Sequence, residues 1–151
     1  FDVHHGNGTQ DIFYDDSSVY FFSTHQYPFY PGTGSADEIG RGAGEGFTMN
    51  VPLEAYSGGN KILEALEGPL YSAMQIYKPE FILLSSGYDA FHLDPVGGLQ
   101  VKRDEFRQIN KVALKMAHEF CQGRLISVLE GGYNTEILGK LVADQVEDFL
   151  Q

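Results

Sequence analysis

Asp2 and His4 stand two residues apart in Phe1-Asp2-Val3-His4-His5-Gly6-Asn7-Gly8-Thr9, and that spacing carries chemistry. In extended backbone, residues i and i+2 point to the same side, so this carboxylate and imidazole can grip one ion. Far along the chain, Ser85-Ser86-Gly87-Tyr88-Asp89 sets a third ligand type after an apolar run, and Glu130-Gly131-Gly132-Tyr133-Asn134 presents a tyrosine after another. Asp2, His4 and Asp89 together would leave a position open for water and substrate, the arrangement of a catalytic rather than a structural zinc. Each feature alone has a plainer use: Asp-x-His as a cap or hydrogen-bonded pair, Asp89 as a loop or helix cap, Gly-Gly-Tyr as a turn. Their conjunction on three strand ends is what speaks for a site.

The elements that must position these residues alternate. A helical turn is predicted over Thr9 to Tyr14, with Asn7 or Thr9 as its cap. Val19 to Ser23 reads as a strand buried on both faces, and His25 to Gly46 as a long Gly- and Pro-rich loop. A strand follows over Phe47 to Leu53, then a helix from Ser57 to Tyr77 that Gly68-Pro69 should kink or break. Phe81 to Ser85 and Leu125 to Leu129 read as buried parallel strands. Between them lies a helix over Asp104 to Phe120 with a core stripe at Phe106, Ile109, Ala113, Met116 and Phe120, and Asn134 to Leu150 closes the chain as an amphipathic helix. This order predicts an α/β fold, a parallel sheet with helices on both faces. In such sheets ligands collect outside the carboxyl ends of the strands, which is where Asp2, His4, Asp89 and Tyr133 fall.

Composition narrows the partners. The 151 residues carry a formal net charge of −11, and no basic stripe is available to neutralise phosphates, so direct nucleic-acid binding is not expected. A cationic substrate or partner is favoured. The single Cys121 excludes a cysteine-cage metal site and an internal disulfide, leaving His and carboxylate ligands. No apolar run approaches a membrane span and no signal-peptide pattern is present, so a cytoplasmic setting is expected. Phe1-Asp2-Val3 reads as the end of a buried strand, so residues 1–151 are expected to be the C-terminal part of a single domain, incomplete at the N-terminal side.

"DVHHGNGTQDIFY", "FYPGTG", "SSGYDAFHLDP" with "GGLQV", and "LEGGYN" together resemble the successive motifs of the zinc-dependent histone deacetylase family (class II-like), which includes acetylpolyamine amidohydrolases and acetoin-utilisation proteins. The resemblance implies an arginase/deacetylase α/β fold and hydrolysis of an acetyl-lysine-like amide, in an acetylated protein or peptide or in an acetylated polyamine. Asp2, His4 and Asp89 stand where the family places its zinc ligands. The metal is expected to polarise the acetyl carbonyl and lower the pKa of its water; Fe²⁺ could take the same ligands. Tyr133 matches the tyrosine that donates to the developing oxyanion. Tyr30 and Val96 match walls of the tunnel around the lysine stem, and Gly131 belongs with these substrate-binding positions. For Tyr30 a buried loop aromatic is the alternative. Ser23 and Thr24, with backbone near Asp2 and His4, resemble a site for K⁺ or Na⁺, although Ser23 could equally be a strand-end hydroxyl bonded to backbone.

Two departures bear on activity. A binuclear manganese site of the related arginases would need an aspartate two residues after His4, where this chain has Gly6, so one metal ion is expected. His5 is expected in packing or in support of a ligand. The family's general base is a histidine pair in an upstream segment, and His25, His92 and His118 match none of its positions. An intact parent enzyme is therefore expected to be active and residues 1–151 alone to have little or no turnover. A noncatalytic binding module with the same fold is the competing expectation.

Overall fold

Strand pairing is parallel, as the alternation of strands and helices predicts. The computed structural model describes residues 1–150. In it β1 (Phe21–Gln26) pairs with β2 (Thr48–Leu53), and β3 (Ile82–Ser86) with β4 (Leu125–Leu129). The first three residues stitch the two pairs together. The Phe1 amine donates to the Ser85 carbonyl at 2.9 Å, Gly87 N–H donates to the Phe1 carbonyl, and Gln26 N–H to the Val3 carbonyl. The lateral order is thus β2, β1, residues 1–3, β3, β4, which sets Asp2 and His4 between the two pairs. Pro52 lacks an N–H and is tolerated because β2 is the outer strand, with β1 its partner.

The helices follow from apolar periodicity, with corrections at their ends. The first helix, α1 (Asn7–Phe13), starts two residues earlier than expected, and Gly6 is its cap; neither the Asn7 nor the Thr9 side chain caps it. The predicted Ser57–Tyr77 helix is α2 (Gly59–Ala65), a π-helical turn (Leu66–Leu70) and α3 (Tyr71–Tyr77). Pro69, with no N–H and a ring that clashes with the preceding turn, explains the widened turn. α4 (Arg103–Cys121) buries Phe106, Ile109, Ala113 and Met116 as predicted, while Phe120 is half-buried. Its start is fixed by Glu105, which accepts the Lys102 N–H at 2.7 Å. α5 (Thr135–Phe149) packs on α4 through paired charges: Arg103 to Asp144 at 2.6 Å and Arg107 to the fully buried Asp148 at 2.6 Å.

β1 begins at Phe21 rather than Val19 and runs on to Gln26, so His25, expected in the loop, is a strand residue. Tyr20 instead packs its ring against Tyr77 and Phe47. β3 and β4 are not buried on both faces. Leu83 is 74% exposed, Ile126 51% and Val128 48%, so among the described residues helices cover one face of this pair. The main core lies on the covered side, where Val3, Tyr88, Phe91, Leu99, Val101, Phe106, Ile109 and Leu141 meet.

Candidate metal centre

The segment at residues 1–4 that joins the two strand pairs and the loop after β3 bring three potential ligand groups to one point. One side-chain donor atom from each of Asp2, His4 and Asp89 lies within 4.8 Å of the others. His4 Nδ1 is 3.0 Å from Asp2 Oδ1 and 3.2 Å from Asp89 Oδ2. The backbone fixes the carboxylates: His4 N–H donates to Asp2 Oδ1 at 2.8 Å, Gly131 N–H to Asp2 Oδ2 at 3.1 Å, and Val3 N–H to Asp89 Oδ1 at 2.8 Å. Both carboxylates are thereby oriented, and Asp89 Oδ2 is left facing the cluster.

Asp89 is fully buried, and its Oδ2 has no hydrogen-bond partner among the described residues. His4 is close enough to attract it but not aligned to donate. Burial, then the charge of Asp2, pushes the Asp89 carboxyl up to about 6. An orphaned, desolvated carboxylate oxygen beside a second carboxylate is costly unless a cation compensates it. Two glycines leave room for this crowding. A Cβ at Gly131 would collide with Asp89 Oδ2, and one at Gly87 with Asp2 Oδ2. A divalent cation fits this donor set of two carboxylates and an imidazole.

Of the remaining predicted residues, Gly131 and Tyr30 contact the cluster, and the others are placed by different contacts. Gly131 is in direct contact through its N–H. Tyr133 follows two residues later, its ring half-exposed and its N–H held by Asp94 at 2.8 Å. Tyr30 is 76% exposed, against the alternative of a buried loop aromatic, and meets the His4 ring edge-on at 6.0 Å. Val96 is partly exposed on the loop after β3. Ser23 Oγ is bonded to His25 Nδ1 at 2.9 Å and Thr24 is buried on β1.

Sequence reasoning missed three contributors. Phe29 stacks on the His4 ring at 5.5 Å, and the aromatic pair in Phe29-Tyr30 was its only signal. Asp94 bridges two loops. A buried network behind the site was invisible because its members are far apart in sequence. His5 bonds to Thr33 Oγ1 at 2.8 Å and to Gln10 Oε1 at 2.9 Å; Gln10 also donates to Glu38 and accepts from Asn50. Glu38 accepts the N–H groups of Gly34 and Ser35, and His25 Nε2 donates to the Gly34 carbonyl at 2.9 Å. This clamps the base of the Gly/Pro-rich loop that carries Phe29 and Tyr30. His5 therefore supports the neighbourhood of His4, in line with the sequence expectation.

Against known proteins, the histone deacetylase domain family matches residues 1–149. The chain belongs to the histone deacetylase family. It is 47% identical over 150 residues to histone deacetylase 10, chloroplastic, of Oryza sativa subsp. japonica, covering 99% of this chain and 34% of that protein. The crystal structure of the HDA15 HD domain superposes with a TM-score of 0.90 at 35% identity, over 99% of this chain and 43% of the other. Acetylpolyamine aminohydrolase from Burkholderia pseudomallei gives 0.86 at 30% identity, over 98% and 42%. The chain thus spans about a third of the curated relative and about two fifths of the solved chains. The incomplete arginase/deacetylase-like α/β fold expected from the motifs is the fold found.

Proposed function

We propose that residues 1–151 are the C-terminal part of a deacetylase domain that hydrolyses the acetyl amide of acetyl-lysine, with zinc held by Asp2, His4 and Asp89. The observation that carries this is the buried, unpartnered Asp89 Oδ2 converging with Asp2 and His4 at the mouth of the parallel strands. The metal, when bound, supplies Lewis-acid polarisation of the amide carbonyl and a more acidic water. Iron(II) is the alternative occupant of the same donors. Val3 N–H and Gly131 N–H keep the two carboxylates aimed, and the Phe29 ring holds the His4 imidazole flat against it. Tyr133 donates a hydrogen bond from its phenol to the oxygen that gains charge as the amide is attacked. Tyr30 and Val96, exposed on loops, wall the lysine stem and exclude water from it. Ser23 and Thr24 are the proposed seat of a potassium or sodium ion, for which the Ser23 hydroxyl would have to turn from His25.

Proton transfer needs a further group. His5 and His25 have both ring nitrogens bonded in the buried network, His92 packs on Phe91 and His118 lies on α4 near Gly123. None of these matches the histidine pair that the family resemblance implies, so the general base is proposed to come from a segment outside these residues, and the chain by itself to turn over little. A loss on the order of 10²-fold or more is expected without it.

An acetylated polyamine is the second reading, favoured by the likeness to the acetylpolyamine aminohydrolase and by the −11 charge. Comparing kcat/KM of the intact domain, with and without chelator, on an acetyl-lysine peptide and an acetylated polyamine tests both. Chelator-sensitive turnover of the peptide supports the first reading and preference for the polyamine the second. Absence of turnover with zinc bound leaves a binding module in its place.

A further inference from the structure

The loop after β3 and the loop after β4 are tied by one side chain that no metal or substrate role explains. Asp94 is 8% exposed. Its Oδ2 accepts the N–H groups of Tyr133 at 2.8 Å and Asn134 at 3.1 Å, and its Oδ1 accepts the Val96 N–H at 2.9 Å. A second tie runs beside it, from Asn134 Nδ2 to the Leu93 carbonyl at 2.8 Å. Asn134 is the N-cap of α5 but makes no side-chain cap of its own. The N–H groups that Asp94 Oδ2 accepts are those of this cap residue and of Tyr133 before it, so a carboxylate from another loop sits at the amino end of that 15-residue helix, where the helix dipole favours negative charge.

We propose that Asp94 is a positioning residue that sets Tyr133 and Val96 relative to each other, so that the oxyanion donor and one wall of the substrate channel move as a unit. This rests on the deacetylase reading of Tyr133. The donor arithmetic favours a carboxylate and nothing else at this position. Three N–H groups from two loops converge on two oxygens, and an ionised carboxylate is acceptor-only. An asparagine of the same shape would turn an NH₂ group toward one set of N–H donors, leaving donors facing donors. The ring of Tyr133 is half-exposed and is not held by close packing. Its backbone amide is therefore the point through which its reach is controlled. Small misplacements of a catalytic group are expensive, about 10²-fold for roughly 1 Å.

The test is Asp94→Asn, read three ways. Amide exchange by NMR on the zinc-loaded chain should speed up at Tyr133, Asn134 or Val96, while zinc stoichiometry stays that of the wild type. In the intact domain, kcat on an acetyl-lysine peptide should fall by about 10-fold or more and by a larger factor than KM rises, because the Tyr133 contact is made in the transition state while the Val96 wall also touches the bound substrate. The loss should shrink on a trifluoroacetyl-lysine peptide, whose electron-poor carbonyl depends less on a hydrogen-bond donor. Faster exchange with unchanged kcat would overturn the proposal, since the tie would then be structural only. So would loss of zinc in parallel with activity, which would place the effect on the ligands. Asp94→Glu, which keeps the charge but moves the oxygens by one methylene, gives the same readouts if Asp94→Asn does not fold. Tyr133→Phe is the control: normal turnover by that variant would sink the role of Tyr133 and the catalytic meaning of the tie, whatever the exchange shows.

Discussion

Asp89 is held at the bottom of the cluster by one N–H, that of Val3, while its other oxygen faces Asp2 and His4 without a hydrogen bond. The space for that second oxygen exists because residue 131 has no side chain, so the geometry makes a sharp statement about glycine. In Gly131→Ala the N–H that binds Asp2 remains, but the methyl collides with Asp89 Oδ2. Zinc affinity, measured by chelator competition, should fall by about 10–100-fold, the range seen when a group supporting a ligand is disturbed. Unchanged affinity would mean that Asp89 can step aside, and that its position is not what defines the site.

At the scale of elements, β1 and the loop after it are joined by the network of His25, His5, Gln10 and Glu38. His25 is fully buried, and burial, followed by the nearby His5, lowers its pKa from 6.5 to about 4, against the opposing pull of the Gly34 carbonyl and Glu38. A depressed histidine makes the unfolded state the better proton binder between those values. Stability from this group is therefore complete above pH 6.5 and is lost as pH falls toward 4, by at most about 3 kcal/mol. Asp89 opposes this in the metal-free chain, because its raised pKa makes stability fall as pH rises from 3.8 to about 6. The comparison of wild type with His25→Gln cancels that contribution. Thermal unfolding of the variant should lose less stability than wild type between pH 6.5 and 4.5; parallel curves would show that His25 titrates normally in the fold.

At the scale of the molecule, Leu83, Ile126 and Val128 form an uncovered apolar strip on the β3–β4 pair. Exposed apolar strand faces associate. Residues 1–151 alone should self-associate across a concentration series in sedimentation velocity, and Leu83→Lys with Ile126→Lys should restore the monomer without touching zinc binding; a wild type that stays monomeric would contradict this. That strip also marks the limit of what the sequence discloses. An apolar run reads as a buried strand whether its cover is supplied by the same residues or by others, so β3 and β4 were legible as strands but not as half-bare ones. The convergence of Asp2, His4 and Asp89 was legible because its motifs are local: Asp2 and His4 are two residues apart, and Asp89 comes just after an apolar strand. Asp94 and the Gln10–Glu38–Asn50 network were not, since their partners lie 39, 28 and 40 residues away and loop carboxylates look alike. β1 slipped by two residues because Val19 and Tyr20 are as β-prone as Phe21 and Phe22, and only packing against Tyr77 removes Tyr20 from the strand. The central claim is that Asp2, His4 and Asp89 hold one catalytic metal ion. Calorimetric zinc titration of the metal-free chain against Asp89→Asn tests it most directly: one zinc per wild-type chain, with affinity lost by about 100-fold or more in the variant, is the expected result. Zinc binding that is absent in the wild type, or indifferent to Asp89→Asn, would contradict it.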